Sequence, residues 1–296
     1  MSERLFLFLQ LEFPWKLGPP DGRYLLRTRE AAGPEAETGE PEHVVVLGTL
    51  GAPRRAGATL GAIALPGAGS RRRARRPRET TPDPAPVTTT RATVIDPVSV
   101  SAERQAQAWL AEIDSERETR AAVAVLNRVL FAHRIATANP HVHELAPAQA
   151  LVIRAGWGEG EQLADGLWQY ARELPWSTPS SAKRRAAALR PQERLAELLG
   201  ARDEELLCEE LALRARLDLD HERLQHAAIE LDAALGAALG ELGGEANPAL
   251  APRLDELRAL HADVAAGEPG EEIVRHALER LEAALRARIA GGFTRS

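Results

Sequence analysis

The chain opens on alternation. In residues 4–13, Leu5, Leu7, Leu9, Leu11 and Phe13 fall on one side of an extended segment, and Phe6, Phe8, Gln10 and Glu12 on the other. That is the period of a β-strand. Its first half is apolar on both sides, which predicts a strand covered from both faces there. Turn chemistry follows in GPPDG at 18–22, where Pro presets φ and Gly accepts a positive one. A short strand, RYLLRT, comes next, and residues 29–42 form a polar loop. HVVVLGTL at 43–50 is the strongest β segment because of its three consecutive valines. TTTRATVIDPV at 88–98 is a fourth strand returning to the sheet. Between them Gly and Ala dominate, and then SRRRARRPRETTPDPAPV shows no apolar period. Such a stretch buries too little to offset the entropy of ordering it, so residues 66–87 are expected to be disordered.

From residue 101 the period lengthens. Ser101 is a candidate N-cap with Glu103 in the first turn, and Trp109, Ile113, Val123, Leu126 and Leu130 continue a long helix to about Thr137. Asn139-Pro140 ends it. Pro147 and Gly156 bound AQALVIRA in a way that suits a short helix, and residues 159–173 read as another. Residues 177–191 form a linker. Further on, Leu224, Ala228, Leu231, Leu235, Ala238 and Leu242 repeat at alternating steps of four and three, a stripe of the coiled-coil kind. A second stripe runs from Leu250 to Val264 and a third from Val274 to Leu285, with Gly/Pro breaks between them. Short breaks between such helices predict antiparallel neighbours.

The expected fold is therefore α+β. A small N-terminal four-stranded β unit (residues 1–100, with the insertion at 66–87) is backed by a long helix. Residues 101–176 form a helical middle unit packing on the sheet, and after the linker residues 192–296 form a C-terminal antiparallel helical bundle.

Composition narrows the function. The net charge is −6, so binding to a polyanion has to be local. Lys occurs only at positions 16 and 183, and the other 35 basic residues are Arg. The lone Cys208 excludes an intrachain disulfide and any multi-cysteine metal site. Its run, LLCEELAL, makes it a buried apolar residue rather than a reactive thiol. The N-terminus lacks a signal-peptide pattern, and no segment approaches the roughly 18 apolar residues of a membrane span. A cytoplasmic protein is expected.

Four patterns carry candidate chemistry. Gly156-x-Gly158-x-Gly160 follows an apolar run as in a dinucleotide fingerprint, but the third Gly comes one residue early and Glu159 and Glu161 would oppose a pyrophosphate. A tight turn anchored by Trp157 fits better, and no cofactor is expected. His141 and His143 would point the same way in an extended segment, and with His133 and Glu144 they make a candidate metal site for a hydrolase. His221 and His226, five apart, cannot share a metal from one intact helix. Finally Arg71, Arg72, Arg73, Arg75, Arg76 and Arg78 form an arm suited to nucleic-acid phosphates, without interleaved aromatics to stack on bases.

With no nucleophile elbow and no complete catalytic set, the expected function is a non-catalytic protein-interaction or assembly factor of bacterial type. Its partner is another protein, or a second copy of itself. The aromatic window from Trp157 to Trp176 would then pack one module on the other. A nucleic-acid-associated role through the Arg arm is the alternative, and the histidine-centred hydrolase stands behind it.

Overall fold

The computed structural model describes residues 4–27, 41–51, 87–177, 190–243, 250–265 and 269–292. The chain divides into two compact units, 1–177 and 178–296.

The first unit holds a six-stranded antiparallel sheet in the order β2-β3-β4-β1-β5-β6. Four strands lie where alternation placed them: β1 (Leu5–Phe13), β2 (Gly22–Leu26), β3 (His43–Leu50) and β4 (Thr89–Ile95). Two more replace expected helices. β5 (Val152–Glu159) runs through AQALVIRA and its glycines, and β6 (Tyr170–Glu173) pairs with it. Between them only a 3-10 turn, Glu161–Asp165, remains of the helix expected over 159–173. Gly160 and Gly166 bracket that turn at φ 59° and 92°, a region open to glycine and strained for other residues. The α+β class is as expected; the sheet is larger by two strands.

β1 is central, and both of its faces are covered. Leu5, Leu9, Leu11 and Phe13 join Val45, Leu47, Ala92, Val94, Ile153, Ala155 and Trp157 in one core. Two helices close that face: α1 (Glu103–Glu112) and α2 (Ser115–Ala136). The one long helix of the sequence reading is thus broken at Ile113–Asp114. Asp114 is the reason, because its side chain accepts the Glu116 and Arg117 backbone N–H groups and starts a new helix. On the opposite face Phe8, Val44, Ile95 and Leu163 form a smaller core, and Trp168 stacks on Phe8 with centroids 5.8 Å apart. Further along that face the cover becomes polar. Gln10 donates to Thr93 Oγ1 at 2.9 Å and to the Ala164 carbonyl at 3.3 Å. Glu12 accepts from Arg91 and Arg154, all three being largely buried.

The second unit is a helical bundle around one apolar core. Its elements are α3 (Pro191–Leu199), α4 (Leu207–Asp220), α5 (Leu224–Glu241), α6 (Ala251–Ala265) and α7 (Glu271–Gly292). The three apolar stripes supply Leu231, Leu235, Leu242, Leu257, Val264, Val274, Leu278 and Leu281 to the core. Helices α4 and α5 run antiparallel, since Glu241 at the end of α5 accepts the Leu207 and Cys208 N–H groups at the start of α4, each at 3.0 Å. Glu241 therefore caps a helix whose own N-cap, Leu206, has no oxygen to offer.

That cap is pH-sensitive. Burial pulls the Glu241 pKa upward, but the Cys208 and Leu207 hydrogen bonds and the Arg288 charge outweigh it, leaving the carboxyl below its ordinary value of 4.5. A lowered folded-state pKa gives stability that is present above the unfolded value and is lost as pH falls through the folded one. Glu241→Gln is expected to destabilise the bundle by about 1 kcal/mol near neutral pH. The gap should close in acid below the lowered pKa. Urea titrations read by far-UV circular dichroism at both pH values check this, and a gap that is constant with pH would contradict it.

Candidate functional site

Helix α2 has two working sides. Its inner side carries Val123, Leu126 and Leu130 into the main core. Its last turns carry a second stripe, Val129, Ala132, His133 and Ala136, at offsets of three, four and seven from the first. This stripe faces β2, one of the two outer strands of the sheet, and the two elements wall a shallow trough of about 460 Å³. Tyr24, Leu25, Leu26 and Arg27 line the strand side. The walls are mostly apolar, and Leu25 is 40% exposed. Arg128 spans the trough, donating to Glu42 Oε2 and to the Arg27 carbonyl, each at 2.9 Å. The charged groups lining it, Arg27 and Arg128, are basic, and His133 adds an imidazole.

Beside this trough the chain is locked by Asn127. The side chain is fully buried; its Nδ2 donates to the Leu145 carbonyl at 2.9 Å and its Oδ1 accepts the Leu145 N–H at 2.7 Å. A helix residue thus imitates a neighbouring strand, and it fixes the segment that contains His141, His143 and Glu144.

Those residues are placed as follows. His133 sits in the last turn of α2, half-buried, close to Gly18 and Val142. His141 and His143 are both exposed, with buried Val142 between them, and Glu144 is half-buried. His141 donates its backbone N–H to Asn139 Oδ1. Among the described residues, these four included, no three His, Cys, Asp or Glu side chains gather as metal ligands would. The arginines Arg71 to Arg78, and the insertion at 66–87 apart from Val87, lie outside the described residues. His221 ends α4 and His226 belongs to α5, so the two are on separate helices. Cys208 is fully buried, and burial followed by the neighbouring Glu241 pushes its thiol pKa upward, far from nucleophilic use.

The glycines of β5 serve the chain's own packing. A Cβ on Gly156 would lie 2.1 Å from the Tyr170 carbonyl oxygen, and one on Gly158 would lie 3.1 Å from Trp168 Cα. The space that a phosphate would need is filled by residues 168–171. Trp157 is buried in the main core and stacks on Tyr170 at 4.9 Å, while Trp168 lies in the smaller core. The aromatic window therefore builds the sheet unit itself.

A second hollow, of about 180 Å³, opens between the sheet and the two helices. Leu7, Leu9, Val94, Trp109 and Val125 wall it, and His43, Asp96 and Glu118 stand at its polar side. Val44 pairs with Ile95 across β3 and β4, and His43 and Asp96 are the residues next to that pair. No helix among the described residues is long and apolar enough to cross a membrane. The chain matches no family model, and neither a curated protein nor a solved structure is significantly similar to it.

Proposed function

We propose that the chain is a non-catalytic protein-interaction or assembly factor acting in the cytoplasm, with another protein or a second copy as its partner. The observation that supports this reading is the trough between β2 and α2. An outer strand leaves backbone N–H and C=O groups facing outward, and proteins ordinarily cover or charge such an edge. Here the edge adjoins an apolar trough on a helix, a shape suited to a partner segment. The described histidines are spread over the surface rather than converged on a reaction centre, which fits a binding role.

The test places a photo-crosslinking residue at Ala132 in the trough and, as a control, at Leu199, which is 80% exposed in the other unit. Irradiation in a lysate of the source organism should give a discrete protein adduct from position 132, lost when Leu25→Glu is added. Equal labelling from both positions would sink the reading.

A further inference from the structure

Helix α3 differs from the other helices of the bundle in that none of its residues is buried. Leu195, Leu198 and Leu199 stay out of the core that α4 to α7 share, and Leu199 is 80% exposed. Charge ties this helix to α4 instead. Arg194 Nη2 donates to both carboxylate oxygens of Glu209 at 2.7 Å, and Arg194 Nε lies 3.3 Å from Asp203 Oδ2. The other oxygen of Asp203 accepts from Arg288 of α7 at 3.1 Å. All four side chains are at most one-quarter exposed, so salt screens these ties less than it screens surface pairs.

The ends of α3 work against it. Arg190 precedes the helix and Ala201 follows it, at φ 45° and 51°, a left-handed conformation that a side chain disfavours. Ala201 holds a C-terminal cap position where glycine is usual, and the Arg202 N–H returns to the Glu197 carbonyl at 2.9 Å. At the other end Arg190 gives the first turn no side-chain cap. A helix of nine residues with nothing buried is marginal in water, so leaving α4 and melting are one event.

We propose that α3 is a charge-held latch. Residues 191–199 pass between a folded state clasped by Arg194 and a melted one, while α4 to α7 stay folded. Strain at Ala201 favours the melted state, and Arg194 favours the folded one. The Arg288–Asp203 pair sets the limit of opening, because it keeps the connection to α4 attached to α7 when Arg194 lets go. Sparse burial places α3 at the low end of the bundle's local stabilities. Ordering and melting of a short segment beside a fixed body is a recurrent form of conformational switch.

Hydrogen exchange of the full-length chain, read by mass spectrometry, tests this. Amides of residues 194–199 should exchange more slowly than those of an unstructured peptide. They should also exchange faster than the amides around Leu231 and Leu235 of α5, which are fully buried. Arg194→Met keeps an apolar stem and removes the charge, and it should accelerate exchange at 194–199 about tenfold or more. Arg194→Lys, which keeps the charge and loses the planar fork, should fall between the two. Ala201→Gly removes the strain and should slow exchange about threefold. The α5 amides should keep their rates in all three variants.

Exchange of residues 194–199 at unstructured rates in the unmodified chain would mean that no clasped state exists, and it overturns the proposal. Exchange in step with α5 overturns it too, because α3 would then open only when the whole bundle does. An unchanged rate in Arg194→Met would move the tie away from charge, and a faster or equal rate in Ala201→Gly would remove the strain that opposes it. Opposite shifts in these two variants, confined to α3, are the result expected of the latch.

Discussion

Replacing Gly156 with alanine is expected to remove a large part of the stability of the sheet unit. The added Cβ would sit 2.1 Å from the Tyr170 carbonyl oxygen and 2.8 Å from Ala171 Cα. Both obstacles are backbone of β6, which is hydrogen-bonded to β5 through this register, so no side chain can swing aside. The strand pair has to separate, and the stack of Trp157 on Tyr170 goes with it. The cost is about 3 kcal/mol or more, large against the ~5–15 kcal/mol of an ordinary domain. Gly48→Ala is the control. It lies in β3, where a Cβ meets nothing within 4 Å, and the change is expected to be neutral or mildly stabilising. The readout is selective, because all five tryptophans, at 15, 109, 157, 168 and 176, lie within residues 1–177. Urea unfolding followed by Trp fluorescence thus reports on this unit. Equal midpoints for the two variants would mean that the close approach of β5 and β6 is not the constraint inferred here.

The same glycines show why part of the fold escaped the sequence. Strands β1 to β4 were legible because each repeats with a period of two or concentrates β-branched residues. Entering β5 the run ALVI is apolar on both faces, and so short a run suits helix and strand alike. The arbiter was present: Ile153, Ala155 and Trp157 alternate, and all three are buried in the main core. Two glycines inside such a run also mark a close backbone approach in a strand. The break at Asp114 was legible in principle too, as an N-cap followed by Glu116 and Glu118. It was hidden because Trp109 and Ile113 already fitted a helical spacing. The bundle stripes were the easiest part, since Leu and Ala at steps of three and four leave one solution.

The trough belongs to a different order of difficulty. Leu25 and Ala132 are about a hundred positions apart in the sequence, and no local period connects them. Its only local sign was the stripe Val129, Ala132, His133 and Ala136, offset from the core stripe of the same helix. In sequence His133 reads as a candidate metal ligand, and the structure gives it a place on the trough wall. Likewise the segment with His141 and His143 reads as candidate chemistry in sequence, whereas its anchoring residue, Asn127, carries no motif at all.

Asn127→Leu is the second change with a large expected effect. Asn127 is fully buried within α2, and its amide meets both backbone groups of Leu145 at 2.7 and 2.9 Å. Leucine fills similar space but leaves the Leu145 N–H and C=O without that partner in a place water does not reach. Orphaned buried groups of this kind cost about 1–3 kcal/mol each, so a loss of about 2–4 kcal/mol is expected. The effect should also be local. Residues 141–146 hold buried Val142 and Leu145 against the main core, and the Asn127 bonds are what fix their backbone to α2. Hydrogen exchange at the Leu145 amide should therefore accelerate well before global unfolding, while amides of β1, at the centre of the sheet, keep their protection. Unchanged exchange at Leu145 together with an unchanged urea midpoint would show that the segment is held by its apolar side chains alone. Faster exchange confined to residues 141–146 would identify Asn127 as the pin that fixes the segment carrying His141 and His143.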